Sequence, residues 1–350
     1  MNLDDPGALA RVDPHDARAA LADFPAQCRA ARALVAAPPL TVRRPRLVVI
    51  AGMGGSAAGG DLIAACGSDT VDVPVIVHRG YGLPAAAGPD SLVVTSSYSG
   101  ETVETLSAFD AALARRVPVV ALTSGGTLAQ RAAAAGCPQI TLPRGLMPRM
   151  ALGYLFLPAL GLLAEAGVGL TTAAEMDEAI DAVGRMARAL APSQPTASNE
   201  AKQLALAIGD RLPVVYGGPI TGAVAYRWKT DIEENAKTLA VAGALPEMNH
   251  NEIEAWQAPA AKDMHAVLLR DGGEPAEISR RFDVLRDLIT PCAGGISEAR
   301  GQGGGRLARL LTLAYLGQWT SYYLAVLRDR DPWSVPILDE VKRRMRGSAP

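Results

Sequence analysis

The chain has 350 residues, 49% of them hydrophobic and 20% charged, which supplies one large or two medium packed domains and excludes disorder, collagen and coiled coil. Its 34 basic and 36 acidic side chains leave a net charge of −2, so there is no broad electrostatic footprint for nucleic acid or another polyanion. An anion bound here has to be held locally, by loops and helix ends.

Residues 1–45, rich in Ala and Arg, read as one or two N-terminal helices. No basic-then-apolar leader accompanies Asp4 and Asp5, and Cys28, Cys66, Cys137 and Cys292 lie far apart without a CxxC pair. The expectation is a cytoplasmic protein with reduced thiols. From residue 46 the pattern changes. Short apolar runs at 46–51, 73–77, 92–95, 117–122 and 140–142 alternate with helical segments, the clearest at 102–115. This alternation predicts an α/β fold, a doubly wound parallel sheet covered by helices on both faces. Residues 151–170 are long enough to span a bilayer, but Pro158, Glu165 and the glycines make a buried helix or helix pair the better reading.

A helix at 173–191 and a linker at 192–195 lead into a second round of the same pattern. It runs through a strand at 212–216, Gly217-Gly218, a helix at 223–240, a strand at 265–269, a helix at 277–289 and a long apolar helix at 307–328. Residues 46–191 and 196–350 are therefore expected to form two similar α/β subdomains, the second carrying the C-terminal helices.

In an open parallel sheet, ligands bind beyond the carboxyl ends of the strands. Two loops belong there. Gly52-Met53-Gly54-Gly55-Ser56 stands at a strand-to-helix turn, where glycines let backbone N–H groups approach an anion. The Walker lysine is absent, and the dinucleotide fingerprint fits only as Gly52-x-Gly54-x-x-Ala57 with no acidic residue after the next strand. Thr95-Ser96-Ser97-Tyr98-Ser99-Gly100-Glu101-Thr102 sets a run of hydroxyls before a helix. Such a run suits a phosphate monoester; the plainer reading, a helix N-cap, accounts for one hydroxyl and not for the run. Only five of the 34 basic residues are lysine (Lys202, Lys229, Lys237, Lys262, Lys342), and for any single one a surface position is the default.

The segment SSYSGET, preceded by GMGGS, resembles the sugar isomerase (SIS) domain, which binds phosphosugars. Pro148-Arg149-Met150-Ala151-Leu152-Gly153, Arg227-Trp228-Lys229 with Glu234-Asn235-Ala236-Lys237, Leu245 through Ile253, and Asp331-Pro332 with Val341-Lys342 carry the resemblance further, to the bifunctional phosphoglucose/phosphomannose isomerases. That resemblance runs through nearly the whole chain and implies two tandem SIS subdomains. It also implies a homodimer with its active site at the subunit interface, no cofactor, no bound metal, and no nucleic-acid or membrane partner. The reaction implied is interconversion of glucose 6-phosphate or mannose 6-phosphate with fructose 6-phosphate through an enediol.

By the resemblance, Gly54, Gly55, Ser56, Ser97, Ser99, Thr102 and Arg149 hold the phosphate, and Glu234 is the base that moves a proton between C1 and C2. His250, reaching in from the partner subunit, and Lys342 assist ring opening. Three plainer or rival readings stand beside these roles. Glu234 with Lys237, and Lys229 with Glu233, have the spacing of a solvated helix face. His250-x-Glu252 with His265 has the residue types of a zinc site, a minor reading against the α/β pattern. A non-catalytic phosphosugar-binding SIS protein, or an isomerase of an aminosugar phosphate, uses the same loops.

Several residues depart from the family pattern. Glu101 stands where Asn is commoner and is expected to bring negative charge near the anion. Gln318 stands in a helix that usually carries an Asp, Gly301–Gly305 reads as a flexible insert, and Trp333-Ser334-Val335 falls where the sugar pocket is shaped.

Overall fold

The computed structural model describes residues 1–347. Three short helices open the chain: α1 (Pro6–Val12), α2 (Ala17–Ala22) and α3 (Phe24–Arg32). The first α/β unit follows as β1 (Leu47–Gly52), α4 (Gly54–Gly67), β2 (Val75–His78), β3 (Ser91–Ser96), α5 (Val103–Ala114), β4 (Val119–Thr123), α6 (Gly126–Ala134) and β5 (Gln139–Thr141). A 3₁₀ turn at Pro148–Met150 leads to α7 (Leu152–Glu165), α8 (Ala173–Leu190) and α9 (Glu200–Ile208). The second unit runs β6 (Leu212–Gly217), α10 (Gly222–Ala236), β7 (Val241–Ala244), three 3₁₀ turns, β8 (Met264–Arg270), α11 (Ala276–Ile289), β9 (Gly295–Arg300), α12 (Arg306–Leu327) and α13 (Pro336–Gly347).

The strands form two parallel sheets, ordered β2-β1-β3-β4-β5 and β7-β6-β8-β9. The chain is α/β, with each sheet flanked by helices. β1, β3 and β4 are buried at every residue, as strands covered on both faces must be. α12 lies at the centre of the molecule, packed on α8, α9 and α10. It is buried almost throughout and stacks Trp319 on Tyr323. One continuous apolar core runs from α1 through both sheets to α12, and each sheet has a smaller cluster on its other face.

Several expectations change. The helix read at 223–240 ends at Ala236, with Lys237 in the left-handed region at φ 54°, and β7 then takes residues 241–244. β7 (VAGA) and β9 (GISEAR) went unread because these strands carry almost no β-branched or aromatic run. The Gly301–Gly305 segment is tied rather than free: the Gly304 and Gly305 N–H groups donate to Glu178 of α8, and the Gln302 N–H donates to Thr312. Lys202 is fully buried, donating to Asp4 and to the carbonyls of Pro192 and Gln194, so it ties the N-terminus to the 192–195 turn. Among the described residues, no helix is long and apolar enough to cross a membrane.

Candidate active site

The order of the first sheet places its switch point between β1 and β3, where the chain leaves in opposite directions. The turns after these two strands therefore flank one crevice. Ser56, in the first turn of α4, accepts the Tyr98 N–H at 3.1 Å, and its carbonyl accepts the Ser96 hydroxyl at 2.9 Å. The two loops are thus sewn together.

Within the second loop, the Ser97 hydroxyl accepts the Gly100 N–H at 3.1 Å and lies 3.0 Å from the Thr102 hydroxyl, while Ser99 Oγ accepts the Glu101 N–H. Gly100, at φ 72°, leaves no room for a side chain: a Cβ there would lie 1.9 Å from the Gly125 carbonyl oxygen. Thr102 occupies the N-cap position of α5, yet its side chain makes no capping bond, and neither does that of Met53 before α4. The plainer N-cap reading of Thr102 therefore fails. Two helix N-termini, neither capped by its own N-cap side chain, stand beside the crevice and give it positive potential.

Glu101 does not point its charge at this crevice. Its carboxylate accepts the Thr127 N–H at 2.8 Å and the Thr127 hydroxyl at 2.9 Å, at the N-terminus of α6, where negative charge is favourable.

Arg149 links the crevice to the second unit. Its backbone presses on the N-terminal turn of α4, where a Cβ on Gly55 would lie 2.9 Å from Pro148 and 3.0 Å from the Arg149 Cα. Its buried guanidinium donates to Asn235 Oδ1 (2.8 Å), Glu234 Oε2 (3.4 Å) and the carbonyls of Pro332 and Trp333 (2.7 Å each). These donors tie Arg149 to the base candidate, to its neighbour Asn235 and to the strap at 331–333.

Glu234 lies on the last turn of α10, its side chain 26% exposed, so the carboxylate is within reach of a ligand. Lys237 closes that helix end, its amine donating to the carbonyls of Glu234, Asn235 and Asp331. Burial pushes this amine down to about 8. Lys229 pairs with Glu233 at 2.7 Å, as an ordinary helix face would.

Beneath Glu234, Asp231 is fully buried and paired with Arg227 at 2.7 Å; burial pushes its carboxyl up to about 7 against the pull of that cation. The sequence reading missed this pair, although Arg-x-x-x-Asp at i,i+4 on a helix was visible as a signal.

His250 is not brought to Glu234 within the chain. α10 starts beyond the carboxyl end of β6 and ends before the amino end of β7, and its 15 residues span about 22 Å. His250 follows the carboxyl end of β7, exposed to solvent, at the opposite end of the second sheet from Glu234. Lys342 is exposed on α13 with its amine 3.5 Å from Asp339. His265 is the second residue of β8 and bonds Ser297 at 2.8 Å, so it lies at the amino end of the sheet, away from His250 and Glu252. Among the described residues, no group of three or more His, Cys, Asp or Glu side chains could hold a metal ion.

Comparison with known proteins decides the family. The chain is 38% identical over 301 residues to the bifunctional phosphoglucose/phosphomannose isomerase of Caldicellulosiruptor bescii, covering 85% of this chain and 89% of that protein. This chain belongs to the bifunctional phosphoglucose/phosphomannose isomerase family. The Aquifex aeolicus member is 33% identical over 304 residues, covering 86% of this chain and 91% of its own length. The model of the bacterial phospho-glucose isomerase C-terminal SIS domain matches residues 197–345. Among solved structures, a glucose-6-phosphate isomerase like protein from Thermus thermophilus shares the fold, with a TM-score of 0.63 at 21% identity over 98% of this chain and 99% of that one.

Proposed function

We propose that this protein interconverts glucose 6-phosphate and mannose 6-phosphate with fructose 6-phosphate, without a metal, by moving a proton between C1 and C2 through an enediol. The single observation that carries the reading is the chain of contacts from the α4 N-terminus through Gly55 and Arg149 to the Glu234 carboxylate. It sets a candidate base one side chain away from an anion cradle.

Gly54, Gly55, Ser56, Ser97, Ser99 and Thr102 hold the phosphate. Glu234 removes the proton alpha to the carbonyl and returns it one carbon away; return to either face of C2 gives the glucose or the mannose form. Arg149, beside Glu234, is the further residue proposed to meet the phosphate. His250, from the partner subunit of a homodimer, and Lys342 open the sugar ring. The within-chain separation of His250 from Glu234 supports a site completed by a second copy. The chain works as a cytoplasmic enzyme of two SIS subdomains, 46–191 and 196–350.

The test is incubation with fructose 6-phosphate in excess EDTA, followed by assay for both aldose phosphates. Both are expected. Glu234→Gln is expected to lose about 10²- to 10⁴-fold in kcat while still binding ligand. Ligand binding without product in the unaltered protein would instead favour a phosphosugar-binding SIS protein.

A further inference from the structure

We propose that Asp231 and Arg227 are positioning residues for this chemistry: their buried pair sets where Arg149, and through it the Glu234 carboxylate, stands relative to the phosphate crevice. The inference rests on the isomerase reading for its kinetic consequences only.

Asp231 precedes Glu234 by three residues on α10, one turn deeper along the same side of the helix. Its two oxygens hold Arg227 at 2.7 and 2.8 Å, and both side chains are almost completely buried. Arg227 Nη2 then donates to the backbone carbonyl of Arg149, which also accepts Gln318 Nε2 from α12 at 3.3 Å. Asn235, anchored to Ser321 of α12 at 2.8 Å, receives the Arg149 guanidinium. Arg149 is therefore gripped at its backbone by α10 and α12 and at its side chain by α10 and the strap.

A buried ion pair is weak evidence for stability, because two well-packed apolar groups often serve as well. What an apolar pair cannot supply is the directed N–H to the Arg149 carbonyl. Without it the Arg149 carbonyl keeps only the longer bond from Gln318, so the 3₁₀ turn shifts on the N-terminus of α4 and the Arg149–Glu234 contact shifts with it. Other charges face this group. Asp61 of α4, paired with Arg79, faces Arg227, and Lys237 and Asp331 face Arg149.

The test compares the unaltered protein with the double variant Arg227→Met/Asp231→Leu and with the isosteric single variant Asp231→Asn, which keeps the experiment alive if the double variant does not fold. The readouts are kcat and KM for glucose 6-phosphate, the primary isotope effect with deuterium at C2, and a crystal structure of a folded variant. The expected result is a kcat lower by about 10- to 100-fold, as a misplacement near 1 Å produces. KM should stay close to the unaltered value, the isotope effect should rise, and Arg149 Nη1 should be displaced from Glu234. A folded variant with unaltered kcat, or one whose kcat falls with the isotope effect and the Arg149–Glu234 contact unchanged, overturns the proposal. Should the unaltered protein not turn over these sugars, the isomerase reading falls, and the Arg149–Glu234 contact in the variant structure still decides the positioning role.

Discussion

At the carboxyl edge of the first sheet, the turns after β1 and β3 present Ser56, Ser97, Ser99 and Thr102 beside helix N-termini that their own N-cap side chains leave uncapped. The matching edge of the second sheet, after β6 and β8, has the same topology and different chemistry. There the Thr221 hydroxyl accepts the Gly218 N–H at 2.7 Å and donates to the Leu269 carbonyl at 2.8 Å, filling the gap between the strands. The loop beyond β8 carries Asp271, which caps Gly273, and Glu274, which pairs with Arg270. Burial and the neighbouring Glu274 push the Asp271 carboxyl up. One edge presents hydroxyls and uncapped helix N-termini, and the other presents carboxylates and a plugged crevice. Topology provides the crevice in both units; the side chains in two short loops make the two edges chemically different.

Four substitutions test that contrast, in falling order of effect. Ser97→Ala removes a hydroxyl from the open crevice. With a hydrogen bond to a charged group worth about 1.5–3 kcal/mol, it should raise KM for fructose 6-phosphate about 10- to 100-fold. An unchanged KM would move the phosphate elsewhere. Thr221→Val keeps the side-chain volume but orphans a buried N–H and a buried carbonyl in the second crevice. It should lower stability by about 1–3 kcal/mol, read from denaturant midpoints, and leave KM alone; a raised KM would break the contrast.

The second sheet should also be the acid-sensitive one. Burial pushes the His265 imidazole down to about 4 from an ordinary 6.5. The unfolded chain therefore binds the proton first, and this residue's contribution, complete above about pH 6.5, is lost as pH falls toward 4. Denaturant midpoints at pH 7 and pH 4.5 should differ less in His265→Gln than in the unaltered protein; an equal difference would remove His265 from the account. The smallest effect belongs to Glu101→Gln. Weakening a carboxylate at the α6 N-terminus should cost about 0.3–1 kcal/mol and leave KM unchanged. A fall in KM would mean that the Glu101 charge does oppose the anion.

The sequence alone determined the local features. Strand, glycine or hydroxyl turn and helix form a pattern within about twenty residues, so the loops at 52–56 and 95–102, the parallel sheets and the buried α7 and α12 were all readable from the order of residues. The motifs around Glu234 pointed to the family for the same reason. Tertiary structure decided what depends on separation. The Arg149–Glu234 contact joins residues 85 apart, and the Lys202–Asp4 pair joins residues 198 apart. Whether Lys202 was a surface residue or a buried clamp, and whether Glu101 faced the anion or α6, turned on which helices pack together. No local pattern encodes that, because a side chain's partner is set by the fold that carries both.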